Sequence, residues 1–284
     1  MRLLTLTTFA LFGFAANSLM TRAAIRGHHL DAWTFMVVRL VTGAIMLAIL
    51  VAAQTTRPQR SCSVSGRGSW LMSLWLAGYA VLFTLAYVRI DAAPGALLLF
   101  GSVQLTMFAA ALARGETLSP RHGIGVALSL VGFLVLTLPG LSAPDPAGAV
   151  LMAGAGACWG AYSLAGRGAT DPLAVTADNF LRAAAIGVVI AMPIGMTGPY
   201  TATGLALAAA SGALASGLAY AAWYAVLPRL PVWRAATIQL SVPVLTALGA
   251  TLLLHERLTW RLGASMVLVV VGIGLATANR GRSR

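Results

Sequence analysis

The sequence predicts an all-α integral membrane protein: ten transmembrane helices arranged as two inverted five-helix repeats around a central cavity. Three observations predict it. Hydrophobic residues make up 59 % of the chain and charged residues 9 %, with a mean hydropathy of +0.85; a soluble domain carries about 25 % charge. Ten apolar runs, each near the ~20 residues that cross a hydrocarbon core, alternate with short polar connections. The chain also repeats itself. At a constant offset of 140, Glu116 matches Glu256, Leu118 matches Leu258, Arg121 matches Arg261, Gly123 matches Gly263 and Gly132 matches Gly272. Internal duplication in so apolar a chain is a signature of carriers built from two halves.

The first run, 3–21, has the look of a secretion signal. However, Ala16-Asn17-Ser18-Leu19 followed by Arg22 answers Ala161-Tyr162-Ser163-Leu164 followed by Arg167, so it reads as the first spanning helix. Helix 2 is expected over 33–53 and carries Arg39, which answers Arg182. Arg57-Pro58 lies in the connection to helix 3, 69–88. Arg89, Asp91 and Pro94 make a very short turn into helix 4, 93–113. Helix 5, 122–140, follows the Glu116 loop. Pro144-Asp145-Pro146 then divides the chain into units 1–140 and 147–284. Helix 6 is placed at 147–167 and helix 7 at 174–196, with Asp171-Pro172 between them. Gly198-Pro199 precedes helix 8, 203–227. Pro228 and Pro231 precede helix 9, 234–254, and helix 10, 261–278, closes the second unit.

The net charge is +12, and all 19 basic residues are arginine. They are spread through the connections rather than clustered, which argues against a nucleic-acid partner. With the N-terminus in the cytoplasm, 12 arginines fall on that side. Five (Arg22, Arg26, Arg89, Arg257, Arg261) fall on the other, and Arg39 and Arg182 lie within spans. The positive-inside rule places both termini in the cytoplasm. Five helices per repeat is an odd number, so the second unit enters from the opposite side and the repeats are inverted.

On these residues the chain resembles the EamA-type families of the drug/metabolite transporter superfamily. The most specific piece is Leu240-Ser241-Val242-Pro243-Val244-Leu245-Thr246-Ala247 leading to His255-Glu256-Arg257-Leu258-Thr259, which is similar to the family's ninth helix and following loop. In the first half Val103 stands where Pro243 stands. Within the superfamily the chain is most similar to YddG-type exporters of aromatic amino acids. The resemblance implies ten helices, a central cavity and export through the bacterial inner membrane.

The candidate substrate site is read from depth. Trp33, Trp70, Trp233, Trp260 and Tyr200 fall at helix ends and read as interfacial belt residues. Tyr79 and Phe83 lie mid-span in helix 3; Trp75, Tyr79, Phe83 and Tyr87 recur every four residues and are expected to share a face. Trp159 and Tyr162 lie in helix 6, and Tyr220 and Trp223 in helix 8 beside Tyr224. Buried Trp and Tyr need polar partners that hydrocarbon lacks, so several of these rings are expected to line a wet cavity, Trp159 first among them. Asn17 and Ser163 lie on corresponding helices 1 and 6. Gln104, a turn after Phe100 in helix 4, corresponds in helix placement to Gln239 in helix 9. Pro243 would free the Gln239 carbonyl and kink helix 9, as a gate or simply as a bend.

None of the seven acids lies at the middle of a span, which favours facilitative transport over a carboxylate proton relay. Asp178 is expected to pair with Arg182 four residues on. For Arg39 the preferred reading is structural: snorkelling to the interface or capping backbone carbonyls, with a substrate carboxylate as the other reading. The expected substrate is an aromatic or neutral amino acid, the alternative being a multidrug or other small-metabolite exporter. No cofactor, metal, nucleic acid or obligate protein partner is expected beyond the lipid bilayer. Cys158 has no visible base, so an enzyme is not expected.

Overall fold

The structure is a computed structural model. It describes residues 2–55, 68–113, 115, 120–138, 143–166, 169, 171–195, 198–230, 238–239 and 241–277. Among these the helices are α1 (Arg2–Arg26), α2 (Ala32–Thr55), α3 (Trp70–Arg89), α4 (Ala92–Ala113), α5 (Pro120–Thr137), α6 (Pro146–Ala165), α7 (Pro172–Ala191), α8 (Ala202–Val226), α9 (Ser241–Leu253) and α10 (Trp260–Thr277). Seven of them, α1–α4 and α6–α8, are long and apolar enough to cross a membrane, by length and composition. The apolar parts of α5, α9 and α10 are shorter. Residues 234–237 and 240, which the ten-span expectation assigns to helix 9, lie outside the described residues.

Two of the breakers in the sequence act as helix starts. Asp145 Oδ1 accepts from Gly148 N at 2.8 Å and Asp171 Oδ1 from Ala174 N at 3.2 Å, each with proline as the next residue. This is an N-cap followed by a residue whose missing N–H would have been orphaned anyway. Ser69 and Thr201 cap α3 and α8 in the same way.

The packing has a regular plan. α3 packs on α6 and α1 on α8; α4 packs on α6 and α1 on α9; α2 lies against α7, and α5 against α10. Adding five to each helix number, and counting onward from one past ten, maps this scheme onto itself. Large apolar side chains such as Phe12, Ile49, Leu181, Val189 and Leu252 face outward, where only lipid makes such a surface favourable.

Helix α8 is not regular. Ser211–Leu218 is a π-helical segment between two α-helical stretches. It faces α1 and α2. Gly212 sits where any Cβ would collide with the Arg39 carbonyl and the Thr42 hydroxyl, so a close backbone approach explains this glycine.

Two expectations about side chains change. Trp75 is exposed while Tyr79, Phe83 and Tyr87 are buried, so the four do not share a face. Four-residue spacing overshoots a 3.6-residue turn by about 40° per step, and three steps rotate the stripe off the buried side. Trp70, Tyr200 and Trp260 are exposed at element ends, as belt residues would be; Trp33 is half-buried against the core. Trp233 and Glu116 lie outside the described residues.

Candidate functional site

The site is built from five helices drawn from both halves of the chain. α1 presents Phe14, Asn17 and Ser18, one turn of a single face. α3 presents Tyr79 and Phe83, four residues apart. Leu99 and Phe100 come from α4, Trp159 from α6, and Tyr220 from the turn just after the π segment of α8. Together they line one internal cavity. Its open volume is about 10 Å³, room for a water molecule at most, so a larger solute requires the rings to part.

Trp159 is the hub of the rings. Its centroid lies 4.8 Å from Tyr220, 5.2 Å from Tyr79, 5.6 Å from Tyr162 and 6.4 Å from Phe14. Tyr79 and Phe83 continue the wall at 5.2 Å, and Phe14 stands edge-on to Tyr220 at 5.8 Å. Tilted and edge-on contacts of this kind stabilise beyond the area they bury.

A polar network backs the wall. Asn17 Nδ2 donates to Tyr79 Oη at 3.2 Å, and Ser211 Oγ donates to Asn17 Oδ1 at 2.7 Å. Arg39 Nη2 donates to the same Tyr79 oxygen at 3.1 Å, while Arg39 Nε reaches Ser216 Oγ at 3.3 Å. The guanidinium lies over Phe83 and Tyr79, 4.9 and 5.2 Å from the ring centroids. Arg39 thus neither snorkels nor caps carbonyls. It is 1 % exposed, held in place because the π segment brings Ser216 opposite it.

Of the residues singled out from the sequence, the cavity brings together Trp159, Tyr79, Phe83, Asn17, Phe100 and Tyr220. Tyr162 and Trp223 stand one layer behind, against Trp159 and Phe14. Ser163 is half-buried, and Gln104 and Gln239 are buried, without lining the cavity. Pro243 lies in α9, and Ile238 and Gln239 ahead of it are helical too, with Val242, Pro243 and Thr246 buried. Phe14 and Leu99 were not singled out. Neither carries a polar marker, although Phe14 lies three residues before Asn17 and so on its face.

Away from the cavity, one carboxylate is turned inward. His255 takes a φ of 54°, which reverses the chain after α9. Glu256 then accepts from Ala92 N at 2.9 Å and Ala93 N at 3.3 Å, satisfying the first turn of α4. Arg22 lies 3.7 Å away and also pairs with Asp91 at 2.6 Å. Burial pushes the Glu256 carboxyl above the ordinary glutamate value, and Asp91 adds to the rise. The two amides and Arg22 oppose it. At another junction Arg182 pairs with Asp178 at 2.8 Å and reaches the Gly68 carbonyl.

Residues 146–278 match the model of the EamA-like transporter family. An uncharacterized protein of Pseudomonas aeruginosa is 47 % identical over 279 residues, covering 98 % of this chain and 96 % of its own. A solved crystal structure superposes with a TM-score of 0.69, covering 96 % of this chain and 98 % of that one. Its identity is 21 %, so that likeness is one of fold.

Proposed function

The chain belongs to the EamA-like transporter family, and from that premise we propose that it exports aromatic and other neutral amino acids by alternating access. The observation that carries the substrate class is the cavity: six aromatic rings, two of them phenols, with the Asn17 amide and the Ser18 hydroxyl, at the junction of α1, α3, α4, α6 and α8. Rings of this kind suit a small solute with a large apolar part, and the scarcity of fixed charge suits one of low net charge. The narrowness of the cavity, about 10 Å³, fits a carrier that must rearrange to admit its solute.

In this reading residues 1–140 and 147–284 are inverted repeats, consistent with the five-step regularity of the helix pairings. The protein sits in the bacterial inner membrane with both termini in the cytoplasm, as the arginine distribution favours. Transport is facilitative, because no acid lies mid-span to relay protons. Arg39 weighs against the alternative of lipophilic-cation export, since a buried cation beside the cavity repels such a solute.

Purified protein in proteoliposomes tests the proposal. Labelled L-phenylalanine should show saturable flux that an imposed pH gradient does not drive. Flux no greater than that of empty vesicles, or competition by lipophilic cations but not by amino acids, refutes the amino-acid reading.

A further inference from the structure

Resting on the reading of the cavity as the transport site, we propose that Arg39 is the receptor for a carboxylate on the transported solute. The site then selects aromatic or bulky apolar monocarboxylates, amino acids among them, and needs no α-amino group.

The argument begins with charge balance. Arg39 is the eighth residue of α2, about 10 Å along the helix from Ala32, and is 1 % exposed. Its two bonded nitrogens reach only neutral hydroxyls, those of Ser216 and Tyr79. Among the described residues no carboxylate lies within ion-pair distance of it, and its third nitrogen, Nη1, has no partner. Other inward arginines differ. Arg182, which answers Arg39 in the sequence, is paired with Asp178, and Arg22 is paired with Asp91 and Glu256. Buried charges are ordinarily paired, and the faces of Phe83 and Tyr79 offset only part of that cost. A protein that compensates Arg182 from within its own helix, yet leaves Arg39 facing neutral groups, has left room for an anion supplied from outside.

Placement says where that anion arrives. Tyr79 and Phe83 form both the surface under the guanidinium and the wall of the cavity. The Tyr79 oxygen accepts from Arg39 and from Asn17, so its own proton is the group left to donate, to the neighbouring Tyr220 hydroxyl or to an arriving acceptor. Asn17 also lines the cavity. A carboxylate at the Asn17–Tyr79 edge would accept that proton and draw in Nη1, a charge-assisted arrangement that guanidinium geometry favours. One cation matches one carboxylate. No fixed anion lines the cavity, and Asn17 Oδ1 is already taken by Ser211. Nothing there demands an ammonium group.

Equilibrium displacement with purified full-length protein tests this, using labelled L-phenylalanine and labelled 3-phenylpropionate as probes. L-phenylalaninamide and 2-phenylethylamine, which keep the ring and lack the carboxylate, serve as competitors. The expected result is that 3-phenylpropionate binds within about threefold of L-phenylalanine, while the two amines bind at least about tenfold more weakly. Arg39→Gln should bring all four to within about threefold of one another, and Arg39→Lys should keep part of the preference. Equal binding of L-phenylalanine and its amide to the unaltered protein overturns the Arg39 assignment and leaves the aromatic site standing. Binding of 3-phenylpropionate without L-phenylalanine removes the amino-acid reading and leaves Arg39 in place. Binding of neither probe overturns both. The competitor series on unaltered protein decides the question even if the Arg39→Gln variant does not fold.

Discussion

The guanidinium of Arg39 donates to the hydroxyl oxygen of Tyr79 at 3.1 Å, tying α2 to α3 at the edge of the cavity. Asn17 donates to the same oxygen from α1. Tyr79→Phe removes the acceptor and strands two buried donors, each costing about 1–3 kcal/mol. Thermal unfolding in detergent should show a clear loss of stability, larger than that of Tyr87→Phe, whose hydroxyl donates a long bond to the Ala92 carbonyl at 3.4 Å and meets the Ser18 hydroxyl, but holds no charged donor. Equal losses would remove Tyr79 from its place as the network's hub.

Trp159 touches four other rings. Trp159→Ala is expected to lower transport, and Trp159→Phe separates wall from core by keeping a ring while shrinking the surface offered to a solute. The Phe variant should retain folded protein and lose most phenylalanine flux. A parallel fall in folded protein and flux would make the indole a packing element.

Gly212 in the π segment lies against the Arg39 backbone carbonyl. A carbonyl cannot swing aside as a flexible side chain does, so Gly212→Ala must push α8 off α2. Expression of folded protein should drop sharply, while Gly123→Ala, with nothing within 4 Å of the new methyl, should be tolerated. Tolerance at both positions would show that the α2–α8 approach is looser than described.

Glu256 is buried at the start of α4 with its carboxyl raised above 4.5. A folded-state value above the unfolded one means that protonation favours folding. The linked stability is fully present below about pH 4.5 and is lost as pH rises through the raised value. The difference in melting temperature between the unaltered protein and Glu256→Gln should therefore fall as pH climbs from 4.5. A difference independent of pH would mean that the carboxyl titrates normally.

Much of the helix plan was legible in the sequence because the breakers are also caps. Asp145-Pro146 and Asp171-Pro172 start α6 and α7 one and two residues before the expected bounds of 147 and 174. The cavity was legible in part. Trp159, Tyr79, Phe83 and Tyr220 are marked by the rarity of deep polar rings, and Asn17 by its amide. Phe14 and Leu99 are ordinary apolar residues whose facing depends on how α1 and α4 pack. The environment of Arg39 was hidden for a different reason. Snorkelling is the usual fate of an arginine two turns into a helix, and only the π segment, unmarked in the sequence apart from Gly212 and Gly217, sets Ser216 against it. Trp75 left its stripe because a four-residue repeat drifts around the helix.

The claim that solute crosses between the two halves through the ring-lined cavity is tested most directly by thiol accessibility during transport. Ser18→Cys in α1 and Leu99→Cys in α4 would be placed singly in a Cys62→Ser, Cys158→Ser background and reconstituted, with outward-facing Val189→Cys as control. A small water-soluble thiol reagent should block phenylalanine flux in the two cavity variants and not in the control, and excess L-phenylalanine should slow the block. Flux that continues undiminished with either cavity cysteine fully labelled would contradict the account.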